Sequence, residues 1–150
     1  MTLRDWLSAK WIAPHLVTAD EVLAGLRVVD RDLKDASVEQ LSADWRFSIT
    51  QNAVMQIATI ALAAEGYRVA GEQHHYRVIQ SLSYTLALER GLVSYLETSR
   101  KKRNKANYAT AGVASDKEAD ELLDAALKLK VNLNSWLASK HPHLITSPSR

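Results

Sequence analysis

The 150-residue sequence contains no cysteine, only three prolines and only five glycines. The lack of cysteine excludes disulfide bonds and thiolate metal sites, and it is compatible with a reducing compartment. The scarcity of glycine and proline, without an alternating β-branched run of useful length, predicts a chain that is helical nearly throughout. A glycine-rich phosphate loop, a Gly-x-Ser-x-Gly elbow and a His-Glu-x-x-His motif are also missing, so three common signatures of enzyme sites are excluded.

Long hydrophobic runs and a strong net charge are missing as well. The longest apolar run, residues 57–64, is interrupted by Thr59 and is too short to span a bilayer. Arg4 and Asp5 precede Trp6 with no apolar segment behind them, which is unlike a signal peptide. We therefore expect a cytoplasmic protein without membrane association. With a formal charge of +2, attraction to a polyanion has to come from local clusters of basic residues.

Three segments carry the capping-box pattern that starts many helices: residues 18–21, 37–40 and 115–118. The helix behind Ser37 is expected to run to Ala64, and apolar residues occupy more than one of its faces. Such a helix either lies at the centre of the fold or uses one face to contact a second subunit. Gly66 is expected to end this helix, and residues 66–71 are expected to form a turn between two glycines.

The remaining patterns complete a helical fold. Further helices are predicted over residues 2–10, behind Thr18, over residues 75–86, from residue 92 onward and over residues 115–137. Gly91 is compatible with either a kink or a break. The fold class is all-α, an antiparallel bundle of four main helices plus a short N-terminal helix. We predict one domain over residues 1–140, followed by a flexible C-terminal tail over residues 141–150.

The most distinctive segment is residues 100–108, in which five of the first six residues are basic. If the helix from Leu92 continues at about 100° per residue, five side chains share a stripe roughly 140° wide that extends its apolar face: Arg103, Asn107, Arg100, Asn104 and Tyr108. Burying arginine costs free energy unless the arginine is paired or binds a ligand. One interpretation is a solvated basic end of a helix, with Lys101, Lys102 and Lys105 in water. The other is a cationic site between helices that binds an anion or a nucleic-acid backbone.

The histidines do not predict a metal site. His74 and His75 are adjacent, so on a helix they point about 100° apart and do not easily share one metal ion. His141 and His143 flank Pro142 near the C-terminus, and neither pair has a carboxylate at ligand spacing. We therefore predict no metal and no cofactor.

Several segments, taken in order, resemble the HEPN superfamily, the helical domains of prokaryotic toxin–antitoxin and RNA-processing systems. The resemblance covers roughly residues 38–138 and rests on four segments: Asp44-Trp45-Arg46-Phe47 before an alanine-rich stretch; Gly66-Tyr67-Arg68-Val69 with Gly71 and His74-His75-Tyr76; residues 100–108; and the capped last helix ending near Trp136-Leu137. It implies a helical bundle that dimerises, with an Arg-x(4–6)-His motif lining a cleft at the dimer interface. Active members of this family cleave RNA without a metal.

Carried onto this chain, the resemblance places Arg103 at the motif arginine and Asn104 at the polar residue that often follows it. The histidine position is occupied by Tyr108. Metal-free RNA cleavage needs groups that move protons and cations that stabilise the phosphorane charge. Tyrosine, with a reference pKa near 10, is a poor base at neutral pH. Because loss of a general acid or base typically lowers the rate on the order of 10²–10⁴-fold, we expect ribonuclease activity to be weak or absent.

The functional prediction is a HEPN-like homodimer that binds RNA or a nucleotide phosphate in the interface cleft. Arg100 and Arg103 bind phosphate, with Lys101 and Lys105 beside them. The amides Asn104 and Asn107 orient the arginines or the substrate, and Tyr108 stands in the histidine's place. Asp44, on the long helix, is a candidate to pair with one of the arginines.

A second prediction is a catalytically inactive protein-interaction module. The resemblance implies it, because many antitoxin-like HEPN domains pair with a nucleotidyltransferase or a toxin chain. In that case the polar stripe sets the register of the dimer, and Trp6, Trp11 or the exposed lysines meet the partner. A third prediction is a dimeric scaffold without a ligand or a partner protein of its own.

Overall fold

The computed structural model describes residues 1–105 and 112–146. In this part of the chain the elements are α1 (Leu3–Ser8), β1 (Ile12–Pro14), α2 (Ala19–Ala36), α3 (Ala43–Ala64), β2 (Tyr67–Val69), α4 (His74–Gln80), α5 (Leu82–Thr85), α6 (Arg90–Lys105), α7 (Asp116–Lys140) and a 3₁₀ turn (Pro142–Leu144). The chain is mostly helical, which confirms the predicted all-α class.

Helix α3 lies at the centre of the fold. It packs mainly between α2 and α7, and it also contacts α4, α5, α6 and β2. Apolar side chains from different faces of α3, such as Phe47, Ile57 and Ile60, are buried within the chain. Most of the apolar surface of α3 is therefore covered by this chain itself, whereas Trp45 in its first turn is 63% exposed. By length and composition α3 could cross a membrane, but 67% of its most apolar window is buried inside the domain, as in a core helix.

Helices α2 and α3 approach each other closely at Gly25. A Cβ atom added there would lie 2.9 Å from two carbons of the Ile60 side chain and 3.0 Å from the amide nitrogen of Gln56. Glycine inside a helix costs about 1 kcal/mol relative to alanine. Here the missing side chain leaves room for the side chains of Ile60 and Gln56 on α3.

Two of the three predicted helix starts are observed. Thr18 accepts a hydrogen bond from the amide of Glu21, although the Glu21 carboxylate contacts His15 at 2.7 Å instead of closing the capping box. Ser115 and Glu118 form a complete capping box at the start of α7.

The start predicted at Ser37 is wrong. Ser37 is the C-cap of α2, and its hydroxyl donates to the carbonyl of Leu33 at 2.8 Å. Helix α3 begins six residues later, behind Ser42, which accepts from the amide of Trp45. The reason is tertiary: Ala36 is fully buried, so α2 gains by continuing to it, and the Ala36 carbonyl accepts a hydrogen bond from Arg46.

The fold also contains a small antiparallel ribbon that was not predicted from the sequence. Strand β1 pairs with β2 in the register Ile12 with Val69, Ala13 with Arg68 and Pro14 with Tyr67. Gly66 (φ +92°) ends α3 as predicted and, with Gly71 (φ +73°), flanks β2, so the predicted turn between two glycines contains a strand. Strands of three residues are too short to show an alternating pattern.

The break before α6 lies upstream of Gly91. Helix α5 ends at Thr85, Ala87 has a φ of +55°, and α6 starts at Arg90, so Gly91 belongs to the first turn of α6. Beyond the last residue of α7, two residues contact the rest of the chain. Leu144 is buried, and the ring of His141 contacts the Glu65 carboxylate at 2.6 Å.

Both N-terminal tryptophans are held by their own chain. Trp6 is buried and makes edge-to-face contacts with Trp11 and Tyr84, at centroid distances of 5.8 and 5.3 Å. The guanidinium of Arg77 lies 3.8 Å from the centre of the Trp11 ring, a cation–π contact. The two rings therefore anchor the N-terminus to the core, and buried Trp6 is not available to a partner.

Candidate functional site

The predicted continuation of an apolar face into a basic stripe is present on α6 as far as the structure describes it. Val93 and Leu96 are buried and Leu92 is half-buried, and one to two turns later Arg100 and Arg103 are half-buried as well. Lys101 is exposed. Asn104 and Lys105 belong to the last turn of α6. Asn107 and Tyr108 lie outside the described residues.

Arg100 is fixed by a partner that the sequence analysis did not name. Its Nε donates to Oε1 of Glu97 and its Nη2 donates to Oε2, both at 2.7 Å. The Glu97 residue is only 7% exposed. Hydrogen bonding to Glu97 raises the pKa of Arg100 further above its usual value, so the guanidinium stays charged. This bidentate pair compensates the burial of Arg100 and leaves its remaining N–H groups for another acceptor.

The signal for this pair is in the sequence. Glu97 precedes Arg100 by three residues, a spacing that places two side chains side by side on a helix. The burial of Glu97 is less evident from the sequence, because Glu97 follows the apolar residues of the same face, where a buried acid is not expected.

A groove lies between α4 and α5 on one side and α6 on the other. Its first concavity, about 470 Å³, is lined by His74, His75, Tyr76, Glu97, Arg100 and Lys101. A second concavity, about 530 Å³, adjoins the first at Glu97, and its lining includes Gln80, Ser83, Tyr84, Arg90 and Ser94. We refer to the two concavities together as the α4–α6 groove.

The groove brings together two segments that the sequence analysis treated separately. His74, His75 and Tyr76 are exposed side chains of α4, and they line the same concavity as Arg100 and Lys101 of α6. The hydrophobic periodicity of the sequence does not indicate that α4 and α6 lie side by side. Chemically, the first concavity can offer hydrogen-bond donors and positive charge to an anion, with imidazole and phenol groups next to them.

Lys102 has a structural partner on α7, unlike the prediction that it stays in water. Its ammonium forms an ion pair with the Glu118 carboxylate. This hydrogen bond, together with one from the Ser115 amide, lowers the pKa of Glu118 to about 2. Next to the pair, burial and then the charge of Glu121 raise the pKa of Tyr95. This side of α6 is therefore an interhelical contact.

Asp44 holds the segment that leads into α7. Its carboxylate oxygens accept hydrogen bonds from the amides of Gly112 and Ala114, at 2.8 and 2.9 Å. The same bonds, that of Ala114 first, lower the pKa of Asp44. Its predicted pairing with an arginine stays a prediction. The observed contacts give Asp44 a different role, because they bind the backbone of residues 112 and 114, which follow the basic segment in the sequence.

Within residues 1–105 and 112–146, no three His, Asp or Glu side chains cluster closely enough to hold a metal ion. A comparison of the chain with protein-family models, with curated proteins and with solved structures found no match. The HEPN resemblance therefore rests on the four sequence segments quoted above, and the proposals below rest on those segments and on the geometry of α6.

Proposed function

We propose that this chain is a HEPN-like domain, of the toxin–antitoxin or defence type, that binds RNA or a nucleotide phosphate through the basic part of α6. The observation that carries the proposal is the clustering of Arg100, Lys101, His74 and His75 around one concavity. A phosphate oxygen accepts several hydrogen bonds at once, and a group of converging cationic and neutral donors suits it.

The pairing of Arg100 with Glu97 favours phosphate binding by ordering the guanidinium, but it also reduces the net positive charge at Arg100. A guanidinium held by two hydrogen bonds of 2.7 Å loses little further side-chain entropy when a phosphate binds. Because Glu97 neutralises much of its charge, however, the net attraction for polyanions comes from the exposed cation Lys101 and from Arg103. We propose Arg103, the motif arginine of the resemblance, as the main phosphate ligand. Asn104, Asn107 and Lys105 support it.

The residue at the histidine position of the motif determines what catalysis we expect. With Tyr108 at the histidine position of the motif, we expect metal-independent endoribonuclease activity to be slow or absent. If cleavage occurs, it forms a 2′,3′-cyclic phosphate and releases a 5′-hydroxyl, because the 2′-oxygen attacks the phosphorus and the 5′-oxygen leaves with a proton.

A second candidate function is an inactive interaction module that pairs with a nucleotidyltransferase or toxin chain. The observation that favours it is again the Glu97–Arg100 pair, because an arginine on the polar stripe already has a structural partner. Since Trp6 is buried in its own chain, the exposed lysines are left to meet such a partner. Both candidates are compatible with the predicted homodimer, which light scattering at micromolar concentration tests directly.

The experiment is RNA binding by fluorescence anisotropy over a range of salt concentrations, with a cleavage gel in EDTA alongside. Wild-type protein is compared with Arg103→Ala and with Lys128→Ala, a control on α7. The Lys128 side chain is 78% exposed, and its ammonium pairs with Asp124. We expect Arg103→Ala to abolish binding, Lys128→Ala to leave it unchanged, and wild-type affinity to fall steeply with salt. Binding that survives Arg103→Ala, or that is insensitive to salt, contradicts the proposal and favours the interaction module.

A further inference from the structure

The α4–α6 groove is elongated and follows one face of α6. Arg90, Ser94, Glu97 and Lys101 all line it. Their spacing of four, three and four residues is that of a single helix stripe. At 1.5 Å per residue the stripe is about 16 Å long. The groove therefore offers a track that is longer than a single phosphate group needs.

Each half of this track has an exposed aromatic ring. Tyr76 on α4 is 41% exposed and lines the first concavity, and Tyr84 on α5 is 37% exposed and lines the second. Between and beside them lie the cations Arg90, Arg100 and Lys101. Aromatic rings that alternate with basic side chains along a groove are the usual means of binding single-stranded nucleic acid, with bases stacked on the rings and phosphates beside the cations.

The chemistry of the groove argues against two other occupants. A paired duplex keeps its bases stacked on each other, so exposed tyrosine rings would have no base face to contact. A partner helix needs an apolar stripe at its docking site, whereas the α6 stripe that lines this groove consists of Arg90, Ser94, Glu97 and Lys101. Two apolar residues also line the second concavity, Val93 and Leu88, but Val93 is buried and Leu88 is half-buried, so neither offers a fully exposed apolar surface.

We propose that the α4–α6 groove binds a short single-stranded segment of RNA, with bases on Tyr76 and Tyr84 and the backbone along Arg90, Arg100 and Lys101. This inference rests on the proposed function and deepens it, because it names the strandedness of the ligand and the surface that reads it. It also places two aromatic contacts outside the motif at Arg103.

The test measures the affinity of the full chain for four probes: a single-stranded RNA of about 12 nucleotides, the same sequence as DNA, the RNA duplex, and inorganic polyphosphate, which has no bases. The variant is Tyr76→Ala, since Tyr84 also packs against Trp6 and its loss would disturb the core. Tyr84→Leu retains an apolar side chain next to Trp6 while removing the ring, and it serves as the second variant. Trp45→Ala is the matched control, because this ring is 63% exposed on α3 and does not line the groove.

We expect Tyr76→Ala to weaken RNA binding by roughly 5- to 100-fold, the range for the loss of one stacked base. Tyr84→Leu should act in the same direction, Trp45→Ala should have no effect, and polyphosphate binding should be the same in all variants. Wild-type protein should prefer single-stranded RNA to the duplex. Comparable binding of RNA and DNA single strands supports the groove as a general single-strand site, whereas preference for RNA adds a contact to the 2′-hydroxyl.

Three outcomes overturn this inference. If Arg103→Ala abolishes RNA binding while both tyrosine variants bind normally, the proposed function stands and the groove assignment fails. If the duplex binds as tightly as the single strand, stacking is not the mode of recognition. If Tyr76→Ala converts a dimer into a monomer by light scattering, the groove is an interface between two copies of the chain.

Discussion

The core around α3 and the α4–α6 groove differ in where their polar side chains lie: few are buried in the core, whereas many line the surface of the groove. In the core, apolar residues of α2, α3 and α7 pack together, and a polar group such as Gln51 is fully buried. In the groove, polar and charged side chains line an open surface, and a buried acid, Glu97, is paired with an arginine. We therefore expect substitutions in the core to change stability and substitutions of exposed groove residues to change binding.

The largest expected effect is at Glu97, where the two regions meet. Glu97→Ala leaves the Arg100 guanidinium half-buried without its carboxylate, and removing one partner of a buried pair is strongly destabilising. Because the Arg100 side chain is still 16% exposed, we expect the free energy of unfolding to fall by about 2 kcal/mol, below the range for fully buried pairs. Urea denaturation measures it. The double variant Glu97→Leu with Arg100→Met should recover most of the lost free energy of unfolding. If it does not, the two residues stabilise the fold by more than neutralising each other's charge.

The next effect is at Gln51, the polar exception of the core. Within the described part of the chain, neither polar atom of its side-chain amide has a hydrogen-bond partner. A buried amide without partners costs roughly 1–3 kcal/mol, and methionine has a similar shape without that cost. We therefore expect Gln51→Met to raise the free energy of unfolding by about 1 kcal/mol, as measured by urea denaturation, with RNA affinity unchanged. A loss of stability would show that Gln51 has a polar partner in solution.

Two neighbouring lysines give a sharper form of the comparison. Lys101 is exposed and lines the groove, whereas Lys102 is paired with Glu118 on α7. We expect Lys101→Ala to change stability by less than about 0.5 kcal/mol and to reduce the slope of log K against log salt by about 0.7, the value for one contact to a single-stranded phosphate. Lys102→Ala should leave that slope unchanged, and equal slopes for both variants would remove the distinction between the two sides of α6.

The smallest effect is the pH dependence of the Lys102–Glu118 contact. The pKa of Glu118 is lowered from its usual 4.5 to about 2, so the folded state favours the charged carboxylate. Its stabilisation is therefore fully present above pH 4.5 and is lost as the pH falls towards 2. Glu118→Gln keeps the capping box, since glutamine also serves at this position, but it removes the charge. Urea denaturation should show a less stable variant at pH 7 and only a small remaining difference from wild type at pH 2, where the Glu118 carboxylate is about half ionised.

The helical class, the start of α7 and the end of α3 could be predicted from local signals. Ser115 and Glu118 form their capping box within one turn of helix, and Gly66 adopts a positive φ that its lack of a side chain allows. The start of α3 could not be predicted, because the buried Ala36 and its bond to Arg46 prevailed over the capping pattern at Ser37. The β1–β2 ribbon could not be predicted either, because its two short strands are far apart in the sequence and neither shows a local strand pattern.

By itself, the sequence determined the helical periods and the concentration of basic residues at the end of α6. It also limited the apolar helix α3 to two positions, the centre of the fold or a contact with a second subunit. Only the tertiary structure decided which of those basic residues face a groove and which face α7. Adjacent residues of a helix point about 100° apart, so Lys101 and Lys102 differ only through the helices that lie beside them. Likewise, His74 and Tyr76 come to Arg100 because α4 packs along α6, a long-range contact that no pattern within either segment encodes.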